Sequence, residues 1–345
     1  MNKNILKIVF GLIVLVGFGG IFFFYREIFV ATAQNSQRIT FEVKPGESVS
    51  SLAERLKQEN IIRSPFMFKL YTRLKNIDTN IQSGFYVVNG PITITKVAGE
   101  LLYSAGTAER TITLIPGWDL RDIAKYFEKE GIASSTELYR LAGNPGQFGP
   151  WASSTFQEYS VLKTKPQNVS LEGYFAPETY RIYKDESVES ILKRLLSQRE
   201  KEFTSEMLAE INTQGKTVHE ILTLASIVEK EVKNDEDRKK VADLFWRRIK
   251  LGMGLQADST VHYLSGREGD VFTKAEERQI DSLYNTYKYR DLPPGPIAAP
   301  SLSAIMAVIY PVKNDAFYFL TTSTGEVKYA RTLDEHNANV YKFLR

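Results

Sequence analysis

Ile39-Thr40-Phe41-Glu42-Val43-Lys44-Pro45-Gly46-Glu47-Ser48-Val49-Ser50-Ser51-Leu52-Ala53 reads as a strand, a turn and a capped helix in immediate succession. Ile39, Phe41 and Val43 alternate with polar residues, as on a half-buried strand. Pro45-Gly46 is a turn pair. Ser48 is the expected N-cap, and Val49, Leu52, Ala53 and Leu56 fall on one helical stripe. The same order returns 71 residues later: Thr111, Thr113 and Leu114 lead into Pro116-Gly117-Trp118-Asp119-Leu120-Arg121-Asp122-Ile123-Ala124. Both helices run to an isoleucine through a polar break, Glu59-Asn60-Ile61 and Glu130-Gly131-Ile132. Fainter echoes stand at 91–98 and 186–192. Short strands, each followed by a helix, predict an α+β fold of small antiparallel sheets with helices packed beside them.

Working outward, the 345 residues carry 44 Lys plus Arg against 41 Asp plus Glu, a formal charge of +3. That balance gives no electrostatic footprint for nucleic acid. There is no cysteine, which excludes disulfides, thiolate zinc sites and thiol catalysis. Aromatic residues at 12% argue against general disorder. Ile8 to Tyr25 holds no charge, and its 18 residues span about 27 Å as a helix, close to a hydrocarbon core of about 30 Å. Lys3 and Lys7 precede the run, so the positive-inside rule places the N-terminus in the cytoplasm and the remainder outside. Ala31-Thr32-Ala33 has the form of a signal cleavage site, but Tyr25-Arg26-Glu27 separates it from the apolar run. The expectation is a single-pass anchor of the cell membrane.

The expected organisation is a cytoplasmic tail at 1–7, a transmembrane helix at 8–25, a module at 38–104, a second strand–helix unit with a loop at 105–170, and a catalytic domain at 171–345. Several motifs point nowhere. Ser190-Ile191-Leu192-Lys193 fits S-x-x-K but lacks its partner motifs. Gly215-Lys216-Thr217 lacks the glycine that a phosphate loop requires before it. His219, His262 and His336 show no metal-ligand spacing, so no metal or cofactor is expected.

Thr217 to Val232 reads as one helix, with Ile221, Ala225, Val228 and Val232 as its apolar stripe. Glu229 shares a face with Leu222, Ala225 and Ser226. A carboxyl there is partly desolvated, and desolvation favours the protonated form that a general acid needs. A second helix is expected from Asp235 to Leu251. Three polar–aromatic strings follow: Leu255-Gln256-Ala257-Asp258-Ser259-Thr260-Val261, Tyr284-Asn285-Thr286-Tyr287 and Leu292-Pro293-Pro294-Gly295-Pro296-Ile297. Stiff loops bearing aromatic faces and amides suit sugar rings and their hydroxyls.

Those strings, with Leu171-Glu172-Gly173-Tyr174-Phe175-Ala176-Pro177-Glu178-Thr179-Tyr180, Ala225-Ser226-Ile227-Val228-Glu229-Lys230-Glu231 and His336-Asn337, resemble the YceG-like family of endolytic murein transglycosylases. The segment 38–88 resembles a LysM-like module, a strand–helix–helix–strand unit that binds N-acetylglucosamine-containing glycans. The family resemblance implies a catalytic acid at Glu229. It also implies a glycan groove formed by Glu172, Ser226, Glu231, Gln256, Asp258, Asn285, Thr286, Tyr287 and Asn337. Where relatives have Q-T-D-P-T and N-P-G, this chain has Ala257 and Ser259 around the aspartate, and Ala299-Pro300-Ser301. The implied reaction cuts the bond between N-acetylmuramic acid and N-acetylglucosamine without water and leaves a 1,6-anhydro ring. The implied partners are peptidoglycan strands, the membrane and enzymes of cell-wall synthesis. Two other functions fit the same residues: a non-catalytic anchored glycan-binding scaffold, and a muramidase that uses water.

Overall fold

The computed structural model of the chain describes residues 19, 22, 24–32, 39–102, 109–149, 153–183, 186–266 and 275–344. Most of the expected anchor at 8–25 lies outside them. Among the described residues, no helix is long and apolar enough to cross a membrane. The chain forms two compact units, residues 1–111 with 181–187 and residues 112–180 with 188–345.

The first unit contains β1 (Ile39–Val43), α1 (Val49–Gln58), α2 (Pro65–Leu74), β2 (Gly84–Val88) and α3 (Ile94–Glu100). β1 and β2 pair antiparallel, with Ile39 opposite Val88 and Val43 opposite Gly84. Alternation buries Phe41 and Val43, and Phe41 stacks on Tyr86 with centroids 5.6 Å apart. Leu52, Leu56, Phe68, Ile94 and Val97 complete this core. The turn needs a glycine, because Gly46 has φ +74°. Ser48 caps α1 by accepting from the Ser51 N–H at 3.1 Å. Arg55 then ties helix to turn through Glu47 at 2.7 Å, and this guanidinium holds the Glu47 carboxyl below its ordinary range.

Strands β3 (Glu109–Thr113) and β4 (Thr179–Tyr183) pair with each other and carry the chain between the units. In the second unit come α4 (Leu120–Lys129), α5 (Ser135–Ala142), α6 (Val188–Glu202), α7 (Ser205–Thr213), α8 (Val218–Glu231) and α9 (Asp235–Lys250). They are followed by α10 (Asp258–Ser265), α11 (Leu302–Ile309), the antiparallel hairpin β5 (Tyr318–Thr321) and β6 (Val327–Ala330), and α12 (Leu333–Phe343). Of the expected segment 105–170, residues from 112 onward belong to this unit. The excursion at 144–170 contains two short 3-10 turns.

The repeated strand–turn–helix design has a shared physical ending. Asn60 (φ +57°) and Gly131 (φ +62°) both take left-handed backbone, and the next residue turns back: Ile61 N–H to Leu56 O and Ile132 N–H to Phe127 O, each 2.8 Å. These are Schellman closures, which satisfy carbonyls that the helix end would orphan.

α8 differs from its expected amphipathic form. Every residue from Ile221 to Val228 is buried, because α7, α9, α10 and α11 all pack on it. Loops lock onto this central helix. Ser226 Oγ donates to Thr223 O at 2.7 Å and accepts from Ile297 N–H at 3.0 Å. His219 bridges the Tyr174 hydroxyl (2.7 Å) and Pro294 O (2.8 Å). Only the protonated Nε2 can donate to that carbonyl, so Nδ1 accepts from the tyrosine. Gly173 has φ +77°, and a Cβ there would stand 2.3 Å from Pro296 Cβ, so no larger residue fits between the two loops. Buried Arg199 donates to Phe175 O at 3.2 Å and Pro300 O at 2.9 Å, holding both loops to α6.

Candidate active site

α8 ends in Glu229-Lys230-Glu231, and its two carboxylates meet different surroundings. Glu229 is side-chain buried to 7% exposure and paired with Arg238 of α9 at 2.7 Å. Its other oxygen accepts from Ser301 N–H at 3.0 Å and from Ser301 Oγ at 2.5 Å, where α11 begins. Both oxygens are therefore occupied by a clamp joining α8, α9 and α11. The sequence pattern placed this carboxyl on an apolar face without a partner. It missed Arg238 because the contact depends on how α9 folds back across α8.

Glu231 faces a groove of about 1000 Å3. Its Oε1 accepts from Ser259 N–H at 3.2 Å and Ser259 Oγ at 2.7 Å. It thereby supplies the N-terminal cap that α10 lacks at Ala257. No hydrogen bond is made to Oε2 among the described residues. Burial pushes the Glu231 carboxyl above its ordinary range; the Ser259 donors pull it down, and the negative Asp258 adds to the rise. A carboxyl that is held on one oxygen, unbonded on the other and biased toward protonation is suited to deliver a proton into the groove.

Asp258, Gln256, Tyr287 and Asn337 line the same groove. Tyr287 donates its hydroxyl to Asp258 at 2.6 Å, and Arg278 lies over the Tyr287 ring at 4.8 Å and 3.7 Å from Asp258. Gln256 holds φ +49°, uncommon for a residue with a Cβ, and its exposed side chain projects at the groove.

Four expected groove residues stand elsewhere. Glu172 is fully buried, accepting from Leu120 N–H at 3.0 and 3.2 Å and from the Tyr263 hydroxyl at 3.1 Å. Burial raises its carboxyl well above the ordinary value, against the pull of the Leu120 and Tyr263 donors, and the side chain serves as a peg beneath α4. Ser226 is consumed by the loop contact described above. Buried Asn285 donates to Arg278 O and Ile280 O at 3.0 and 2.8 Å and accepts from Tyr287 N–H. Buried Thr286 bonds Thr260 Oγ1 at 2.9 Å and accepts from Ala257 N–H at 3.0 Å. In each, a short polar side chain satisfies backbone that would otherwise be buried unpaired. Conversely, Ser259, Arg278 and His336 belong to the groove wall and were not among the expected groove residues. Ser259 alone had a readable signal, as the first-turn hydroxyl beside Asp258. Among the described residues, no group of three acidic or histidine side chains is placed to hold a metal ion.

A carboxyl biased toward protonation, in a groove of amide, hydroxyl and aromatic groups, is compatible with acid–base chemistry on a sugar. The chain belongs to the YceG-like family, which matches residues 41–342. It is 32% identical to the Bacillus subtilis endolytic murein transglycosylase, over 94% of this chain and 91% of that protein. It is 30% identical to the Streptococcus pneumoniae protein of the same name, over 89% of this chain but 59% of that protein, so it spans well under two thirds of the streptococcal relative. A crystal structure of a YceG-like protein from Listeria monocytogenes superposes with a TM-score of 0.59 at 28% identity, over 88% of this chain and 99% of that one.

Proposed function

We propose that this protein is an endolytic lytic transglycosylase of peptidoglycan, with Glu231 as its catalytic acid and base. One observation carries the assignment: Glu231 is raised by burial and keeps one oxygen unbonded at the groove, whereas both oxygens of Glu229 are committed to Arg238 and Ser301. In this reading Glu231 protonates the oxygen leaving the muramyl anomeric carbon. The same carboxylate then accepts the proton of the muramyl 6-hydroxyl as that oxygen closes the 1,6-anhydro ring. An internal hydroxyl has a high effective concentration, so no second carboxylate is needed to activate water. Asp258, oriented by Tyr287, lies on the groove wall to offset the positive charge that develops on the ring. The apolar run at 8–25 would anchor the protein in the cell membrane with its catalytic unit outside, close to newly made strands and the enzymes that synthesise them. The strand–helix–helix–strand order of 39–88 supports a LysM-like glycan-binding role for the first unit.

The test is product analysis on purified sacculi with the full chain and two variants. Glu231→Gln should abolish cleavage, and Glu229→Gln should retain it in whatever fraction stays folded. Anhydro-muramyl ends by mass spectrometry would support the reading. Reducing ends would identify a muramidase, and no cleavage by folded wild-type protein would leave the non-catalytic scaffold. An active Glu231→Gln would refute the choice of acid.

A further inference from the structure

A second, smaller cavity of about 460 Å3 opens beside the groove, bounded by Ile115-Pro116-Gly117-Trp118, Lys230, Lys233 and the Glu229–Arg238 pair. Its wall is built, not incidental. Gly117 N–H donates to Ala299 O at 2.8 Å, and Ala299 N–H donates to Trp118 O at 2.7 Å, which fixes the Pro-Gly-Trp turn in place. Trp118 in turn packs on Tyr126, with ring centroids 5.2 Å apart. Gly117 takes φ +84° and brings its backbone against the side chains of Lys230 and Glu229.

The charge of this cavity is unbalanced. Glu229 and Arg238 cancel each other at 2.7 Å. Asp122 closes the capping box of α4 by accepting from Asp119 N–H at 3.1 Å and keeps its negative charge, so the lining holds three cationic side chains against two anionic ones. Lys230 reaches only a carbonyl, Gly117 O at 3.3 Å, and Lys233 makes no ion pair among the described residues. Two exposed ammonium groups thus flank an indole and a backbone turn, a setting that suits an anion carried on an amide chain. Asp122, Glu229, Lys230 and Lys233 also border the main groove, so the two spaces lie side by side.

From this shared border and the two lysines on it we infer that the side cavity receives the carboxylates of the peptide stem borne by the muramyl residue next to the scissile bond. The inference rests on the glycan-cleaving reading above. A strand lying in the groove is itself almost neutral; its pendant peptides carry the negative charge. Lys230 stands one residue before Glu231, so a stem held there sets which muramyl residue meets the acid. The enzyme then prefers peptide-bearing strands to stripped ones.

The experiment compares two substrates with the full chain: glycan strands bearing peptide stems, and the same strands after amide cleavage, which removes the stem carboxylates and leaves one carboxylate on the lactyl group of each muramyl residue. The wild type should favour the peptide-bearing strands, and added salt should narrow the preference. The Lys230→Gln/Lys233→Gln variant should lose about tenfold in kcat/KM on peptide-bearing strands, chiefly through KM, as expected for two solvent-facing charge contacts. Its loss on stripped strands should be clearly smaller, because both lysines also border the main groove, and Lys230→Arg/Lys233→Arg should keep the preference. Equal losses on both substrates, no loss on either, or a wild-type preference for stripped strands would overturn the inference. Wild-type failure to cleave either substrate is a separate result: it refutes the parent reading, and this one with it.

Discussion

Removing the Arg238 guanidinium should separate the clamped glutamate of α8, Glu229, from Glu231, the proposed acid. In Arg238→Met the stem is kept while the partner of a nearly buried carboxylate is lost. Glu229 is 7% exposed and its ion pair is 2.7 Å long, so screening by water gives little relief. Breaking a buried pair from one side costs about 3 kcal/mol, toward the lower end of the usual range because Ser301 still donates twice to the orphaned carboxylate. The second contact of Arg238, to the 65% exposed Asp235, adds almost nothing. In a unit of roughly 230 residues, each kcal/mol moves the melting temperature by about 2–4 °C, so the expected drop is about 6–12 °C. Adding Glu229→Gln to the same chain removes the stranded charge and should restore about 2 kcal/mol. Thermal unfolding followed by circular dichroism reads both. Below their transitions, the single and double variants should still cleave strands, because Glu231 is untouched. A loss under about 1 kcal/mol in Arg238→Met, or a double variant no more stable than the single, would refute the clamp.

Two further outcomes depend on pH. Asp258 pushes the Glu231 carboxyl upward, so Asp258→Asn should move the alkaline limb of kcat/KM to lower pH, where the acid now loses its proton; an unmoved limb in a variant that still cleaves would sever the link between the two groups. Glu172 has a folded value raised well above its unfolded one, so its contribution to stability is complete below the ordinary carboxylate range and is lost as pH rises toward the folded value. Glu172→Gln, a neutral near-isostere, should therefore flatten the pH dependence of urea unfolding relative to wild type, and an unchanged slope would show that the peg is ionised in the folded protein.

The site also shows how far spacing carries and where it stops. The resemblance of their strings to the family implied groove positions for Gln256, Asp258 and Tyr287, and these three do line the groove. Asn285 and Thr286 carry the same chemistry in the same string, yet both are buried and spent on backbone. Sequence cannot separate the two outcomes, since an amide that satisfies a turn and an amide that greets a sugar are the same residue until the loop has a shape. Glu229 and Glu231 pose the problem most sharply. They lie two positions apart, on different faces of one helix, and their roles follow from Arg238 and Ser259, which arrive from elsewhere in the chain.

The sequence by itself determined the local grammar of this protein: strands by alternation, turns by Pro-Gly, helix starts by Ser48 and Thr217, and helix ends by the left-handed Asn60 and Gly131. Those features depend on a few adjacent residues and their backbone preferences, so a linear reading reaches them. The tertiary structure alone decided which carboxyl is free. Charge, desolvation and hydrogen bonding act over a few ångströms of space, and α9, α10 and α11 bring into that range residues that the chain holds well apart.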